Sequence, residues 1–161
     1  FDFGSNWATY TKSLLGSEHT LYSAISSSKS SLLNFLSPAR LQPGEFFKDV
    51  DVVKGQRFLD IGCGSGVHSA AAAWSGAHVI SFDAQHGSVA STQALSQTFL
   101  ESGLASFWKV FQGSILSLTE EEIIEHLRAD IVYSWGVLHH TGAMYEAIKQ
   151  ACSCIRPVDE G

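Results

Sequence analysis

Two short stretches concentrate residues able to do chemistry. The segment YSWGVLHHTG, residues 133–142, puts His139 and His140 side by side, flanked by glycines and close to a tryptophan. An imidazole titrates near neutrality, so either ring could take a proton from a reacting group, hydrogen-bond a substrate or bind a metal. Metal binding is the weakest of these readings, because no second Cys, His, Asp or Glu group with ligand spacing is evident. Adjacent side chains point in different directions, so at most one of the pair faces a common partner. Both could equally be polar loop residues. The second stretch is LDIGCGSG, residues 59–66, in which Asp60 precedes Gly62, Gly64 and Gly66. Closely spaced glycines let a backbone turn sharply and approach a ligand.

Both stretches need a frame. From residue 56 the pattern alternates strand and helix. RFLDI (57–61), HVISFD (78–83), FWKVFQ (107–112) and DIVYSW (130–135) read as buried strands. Between them GVHSAAAAW (66–74), SVASTQALSQTFLES (88–102) and SLTEEEIIEHLRA (117–129) read as helices, and AMYEAIKQACSCI (143–155) comes after them as a fourth. Ser88 and Thr141 are candidate N-caps, and Ser117 with Glu120 has capping-box spacing. Such alternation predicts an α/β fold, a doubly wound and mainly parallel sheet with helices on both faces. Residues 1–45 differ, being rich in Ser and aromatics. Leu21, Ile25, Leu32, Leu33 and Leu36 form a loose helical stripe ended by Pro38, which predicts a helical N-terminal layer packed on the domain of residues 46–161. Asn6, Trp7 and Tyr10 could belong to a lid.

In a doubly wound sheet, ligands bind beyond the carboxyl ends of the strands. The glycine turn and HHTG both fall there. The helix after the turn offers free backbone N–H groups. The dinucleotide fingerprint is G-x-G-x-x-G or A, and here its last position falls on Val67. An Asp60 carboxylate aimed at the pocket would repel a pyrophosphate and suit a cationic amino group. S-adenosylmethionine (SAM) is such a ligand, with an ammonium, a sulfonium, a ribose and an adenine but no phosphate. The second strand ends at Asp83, where an acid can accept from both ribose hydroxyls.

These residues carry a family resemblance. FLDIGCGSG resembles the first motif of class I SAM-dependent methyltransferases, and ISFDA their ribose-binding motif, with Asp83 and Ala84 at its end. FQGSIL (111–116) stands where the adenine is lined, and ADIVYSWGVLHHTG resembles the fourth-strand motif. The similarity is greatest to small-molecule methyltransferases of the ubiquinone-biosynthesis type, and FDFGSNW is similar to the start of a subgroup of these. The resemblance implies a Rossmann-like sheet. It implies that Asp60, Gly62, Cys63, Gly64 and Gly66 hold the amino-acid end of SAM and Asp83 with Ala84 the ribose. Ser114 and Ile115 would border the adenine, and Ser134 and Trp135 would line the methyl-donor end. His139 or His140 would face a small-molecule acceptor, such as a quinol or phenol. Ser114 replaces the Asp that many members use to accept from the adenine amino group. The family sheet has seven strands, of which about four are present here, so the resemblance implies a truncated chain. The fourth strand would then be an open edge, available to another segment or to a second copy in a homodimer. The rival readings are a non-catalytic binding module and, against Val67 and Asp60, a nicotinamide-dependent oxidoreductase.

Bulk properties set limits. The net charge is −6 and the pI about 5.5, with Lys and Arg scattered, so a nucleic-acid partner is not expected. Lys48, Lys54 and Arg57 read as a solvated face. Cys63, Cys152 and Cys154 are too few and too odd in number for a disulfide framework. No apolar run could span a bilayer and no signal peptide is evident, which predicts a cytoplasmic protein. The first residue is Phe, which also suggests a trimmed chain. His68 comes just after the glycine turn; it reads first as a helix-face residue and second as a group looking into the pocket.

Overall fold

The computed structural model describes residues 3–36 and 53–157. Its strands are β1 (Arg57–Ile61), β2 (His78–Asp83), β3 (Trp108–Gln112) and β4 (Ile131–Tyr133). They form one sheet in the order β3-β2-β1-β4, with every pairing parallel. The chain moves outward from β1 to β3 and then crosses back to place β4 on the other side of β1. The strand order therefore reverses between β1 and β4, the position where such sheets open a crevice.

The helices are α1 (Phe3–Leu15), α2 (Glu18–Leu36), α3 (Val67–Trp74), α4 (His86–Glu101), α5 (Glu120–Glu122) and α6 (Met144–Ser153). Alternation along β1 sends Phe58 to one face and Leu59 and Ile61 to the other. Phe58 joins Val79, Trp108, Leu95 and Phe99 in one core, together with Ile25 and Leu32 of α2. Leu59, Ile61, Ile80 and Phe82 join Ile115, Ile123, Leu127, Ala147 and Ala151 in the other. Helices thus cover both faces, as the alternating pattern predicts. Four consecutive alanines, Ala70–Ala73, are at most 1% exposed, so α3 is enclosed on all sides. Their small side chains let α2 close over α3, where the Tyr22 ring meets Trp74 edge-on at 5.2 Å. Meanwhile α1 packs along α4. The N-terminal helical layer is therefore present. Pro38, Lys48 and the proposed boundary near residue 45 lie outside the described residues, as do the side chains of Leu33 and Leu36. No described helix is long and apolar enough to cross a membrane.

Several boundaries shift from the sequence reading. Helix α4 starts at His86 with Gln85 as N-cap, and Ser88 is buried inside it. The capping box belongs to Thr119 and Glu122 rather than Ser117 and Glu120. Leu118 is buried and extended, so the helix starts two residues later. The chain then makes a single α-turn and a π-turn over Ile123–Leu127, not a continuous helix. Helix α6 takes Ala143 as N-cap, while Thr141 Oγ1 accepts from Ala143 N at 3.3 Å in the preceding turn. Beyond α6, Ile155 makes a parallel bridge to Ala129, returning the chain to the outer side of β4.

Gly66 fixes the approach of α3 to α4. Its φ is +78°, and a Cβ there would lie 2.9 Å from Thr92 Cγ2. Gly66→Ala is expected to destabilise the fold by about 2–4 kcal/mol, combining left-handed strain with overpacking. Denaturant unfolding measures this; a loss under about 0.5 kcal/mol would show that the turn relaxes freely.

Candidate functional site

A cleft of about 710 Å³ opens beyond the carboxyl ends of β1, β2 and β4. That volume is in the range of small-molecule sites. Its floor is the glycine turn. Gly62 N and Cys63 N both donate to Phe82 O, at 2.8 and 3.1 Å, and this fastens the turn to β2. The Asp83 carboxylate makes a second tie, accepting from Gly64 N at 3.0 Å and from Gln85 N at 2.9 Å. One side chain thus holds the β1–α3 turn and the β2–α4 turn together. Each of its oxygens keeps a further lone pair. Gly62 has φ +77°, and a Cβ there would lie 2.4 Å from Val137 Cγ2, so the loop after β4 closes directly onto the turn.

Asp60 lies on the cleft wall yet is only 2% exposed. Ser69 Oγ donates to its Oδ2 at 2.6 Å. Burial pushes its carboxyl up from 3.8 to about 7; the Ser69 bond opposes the rise and Asp83 adds to it. Near neutral pH this carboxyl is therefore close to its titration midpoint, and a cation entering the cleft would favour its charged form. Cys63 is buried, and both burial and Asp60 push its thiol far above the usual range. Such a thiol is a poor nucleophile.

Most of the residues singled out in the sequence meet on this cleft: Asp60, Gly62, Cys63, Gly64, Asp83, Ala84, Ser114, Ile115, Trp135 and His140 all line it. Gly66, Ser134 and His139 are not on its wall. Ser134 Oγ donates to Ile61 O at 3.0 Å, linking β4 to the start of the glycine turn. Ser114 Oγ accepts from Leu116 N at 3.3 Å, capping a short 3-10 turn on the cleft wall. Trp135 is 62% exposed and forms part of the rim. His139 and His140 share a 3-10 turn with ring centroids 3.9 Å apart, and His140 is the one that lines the cleft. From α1, Trp7 and Tyr10 complete the wall, with the Trp7 ring against Gly64; Asn6 is not among the lining residues. No group of three or more His, Cys, Asp or Glu able to hold a metal comes together among the described residues.

Further residues line the cleft. His68 takes up both positions considered for it: it stays on α3, half-buried, and also faces the cleft. Burial lowers its pKa, which keeps the imidazole neutral. Its ring lies 5.2 Å from that of Tyr133. The Tyr133 hydroxyl and Gln85 Oε1 are buried with no hydrogen-bond partner among the described residues. Both residues line the cleft, where a bound molecule or water would satisfy them. Tyr133 could have been found from the strand register, because it pairs with Asp60 and so shares its face. No local signal marks Gln85 or Val137.

The raised Asp60 pKa has a thermodynamic consequence. The folded state holds this proton more tightly than the unfolded chain, so the stability it confers declines as pH rises from about 4 to about 7. Asp60→Asn removes that decline. The melting temperature of the variant relative to the parent is expected to rise across this window and level off above it. A difference that stays flat between pH 4 and pH 8 would show that Asp60 titrates as an ordinary surface acid.

Comparison with known proteins agrees with this geometry. A tRNA U34 carboxymethyltransferase from Methylococcus capsulatus is 33% identical over 108 residues, covering 66% of this chain and 31% of that protein. The chain thus spans about a third of the length of this curated relative. Among solved structures, the YcgJ protein of Bacillus subtilis superposes with a TM-score of 0.59 at 19% identity, covering 81% of this chain and 46% of that one. The magnesium protoporphyrin IX methyltransferase of Synechocystis PCC 6803, solved with bound SAH, gives 0.57 at 19% identity, covering 84% and 55%. At these identities the structures share the fold. Residues 21–159 match the family described as methyltransferase domain. With most of its length inside that match, and a parallel sheet opening on a glycine turn flanked by two acids, the chain belongs to the methyltransferase domain family.

Proposed function

We propose that the cleft binds SAM and that the chain carries the cofactor-binding part of a methyltransferase acting on a small molecule. One observation carries this reading: a buried carboxylate, Asp60, on the wall of a cleft lined by no Lys or Arg among the described residues. Such a site suits a ligand that brings its own positive charge and disfavours a phosphate.

The residues then divide the work by position. Asp60 faces the ammonium of the amino-acid end, beside the backbone of Gly62, Cys63 and Gly64. Gly66 serves indirectly by keeping α3 close. Asp83 accepts from the ribose hydroxyls through its remaining lone pairs, with Ala84 alongside. Ser114 and Ile115 border the adenine. Trp135 lies at the methyl-donor end, and Ser134 holds the loop that carries it. Helices α1 and α2 form a cap whose Trp7 and Tyr10 shield the cleft, and the sheet with its remaining helices forms the SAM-binding domain.

When bound, SAM supplies a methyl group on a positively charged sulfur, transferred in line to an acceptor atom with release of a neutral thioether. The protein's work is alignment and exclusion of water. For a hydroxyl acceptor, His140 would take the proton, with His139 against its ring.

An RNA acceptor is a second reading, favoured by the tRNA-directed relative. The net charge of −6 and the absence of a basic lining among the described residues weigh toward a small acceptor.

Calorimetric titration with SAM, its demethylated product and NAD tests the cofactor; binding of the first two and not of NAD is expected. Turnover with a panel of quinols and phenols, and with tRNA, then tests the acceptor. With a hydroxyl acceptor, His140→Ala should lower turnover by roughly 100-fold or more, and by more than His139→Ala does, with SAM affinity little changed. Full turnover in the double variant would exclude the base role. SAM binding without turnover on any acceptor would mark a binding module.

A further inference from the structure

Four buried side chains form one hydrogen-bonded row beneath the cleft. Trp108 Nε1 donates to Ser81 Oγ at 2.9 Å. Ser81 Oγ and Ser69 Oγ are 2.7 Å apart. Ser69 Oγ donates to Asp60 Oδ2 at 2.6 Å. The row joins β3, β2 and β1 through a serine of α3, and none of its members is more than 5% exposed. Strand register sets Ser81 directly opposite Asp60. Trp108 pairs with Val79, two positions before Ser81, whose own partner on that edge of β2 is Val110, so its indole reaches diagonally.

The chemistry of the donors fixes the direction of the row. An indole N–H can only donate, so Ser81 must accept from Trp108. When Asp60 is ionised its carboxylate can only accept, so Ser69 then spends its single hydrogen on it. Ser81 therefore donates to Ser69. All three hydrogens point toward Asp60, and each bond polarises the next. No other hydrogen-bonded side chain is seen on the Asp60 carboxylate among the described residues. The titratable groups coupled to it, Asp83, Cys63 and Tyr133, are all acids, and burial lowers the pKa of His68 on the same cleft, so none of them favours the charged form.

We propose that Trp108, Ser81 and Ser69 are positioning residues for Asp60: their one-directional hydrogen bonds hold its carboxylate in place and in its charged form for the cationic amino end of the cofactor. The proposal rests on the reading that Asp60 faces that ammonium. It makes selectivity for the amino-acid end of the ligand depend on an indole two strands away.

The test compares affinity for two ligands on the whole chain by calorimetry. SAM has the amino-acid end; 5′-methylthioadenosine keeps the adenine and ribose and lacks it. Ser69→Ala is expected to weaken SAM binding roughly 10- to 100-fold, and Ser81→Ala or Trp108→Phe roughly 3- to 10-fold. Methylthioadenosine affinity should stay within about twofold in all three, since losing one hydrogen bond on the far side leaves its contacts intact. Ser69→Thr keeps the hydroxyl and should retain SAM affinity. Thermal unfolding checks that each variant is folded, and Ser81→Ala serves if Trp108→Phe is not. Equal losses for both ligands, or no loss for either, would overturn the relay while Asp60→Asn still weakens SAM alone. If Asp60→Asn leaves SAM affinity unchanged relative to methylthioadenosine, the premise about Asp60 fails and the proposal fails with it.

Discussion

Asp60 stands near the end of the central strand at 2% exposure, where an ionised carboxylate has lost nearly all of its hydration. An isolated charge in such a place is costly, and the usual response is to shift the pKa or to supply donors. Both responses are present. The pKa rises to about 7, and the Ser69 hydroxyl meets the charge at 2.6 Å. The arrangement is possible because β1 has neighbours on both sides. Ser81 of β2 and Tyr133 of β4 stand opposite Asp60 in the sheet, so the polar residues concentrate at one level of an otherwise apolar face. One layer below, the same face is Phe58 against Val79 and the alanines of α3. Polar chemistry is confined to the carboxyl end of the sheet, and stability comes from the layers beneath.

Asp83 organises the other half of the site. The two backbone N–H groups it accepts from lie on different turns, at Gly64 and Gln85. Charge-assisted bonds of this kind are stronger than neutral ones. They set the width of the cleft before any ligand arrives. Helix α4 begins at His86 because Gln85 is extended, and the Gln85 N–H, which no helical carbonyl can reach, is satisfied by Asp83. With the turn fixed, Gly64 can pass under the Trp7 ring and Gly62 under Val137. Both close approaches depend on having no Cβ. The N-terminal helices are thereby part of the cleft wall as well as part of the core.

The far side of the sheet is built differently. Ile131, Val132 and Tyr133 of β4 are only half-buried, unlike the residues of β1. Ile155 and Arg156 return beside the start of this strand, with Arg156 N donating to Ala129 O at 2.9 Å. Arg156 also pairs with Asp130 at 3.0 Å, whose other oxygen accepts from Arg57 N at 2.7 Å. These contacts lock the lower ends of β1 and β4 together. The upper end of β4, linked to Ile61 O through Ser134 Oγ, carries the loop with Trp135 and the two histidines. That loop supplies Trp135 and His140 to the cleft wall.

Features that rest on a few consecutive residues were legible in the sequence. The four apolar runs became the four strands, and the glycine turn with Asp60 and Asp83 took its place at their carboxyl ends. Backbone conformation and alternation are local properties, so short stretches determine them. Helix caps were read less well, because a cap depends on what must be buried beside it. One cap falls at Thr119 instead of Ser117, after an extended, buried Leu118, and that of α4 falls at Gln85 instead of Ser88, beside Asp83. Side-chain direction in loops was not legible at all. Adjacent histidines 139 and 140 looked equivalent, and only the 3-10 turn put one on the cleft and the other outside. His68, whose place on the pocket was the second of its two sequence readings, shares the wall with His140. The row from Trp108 to Asp60 joins residues 48 positions apart, and no spacing in the chain announces it. It exists because parallel pairing brings Ser81 opposite Asp60 and α3 lowers Ser69 between them. The sequence by itself determined the sheet and the chemistry of its turn. Tertiary structure decided which side chains share that turn's buried face, since long-range register alone brings them within hydrogen-bond reach.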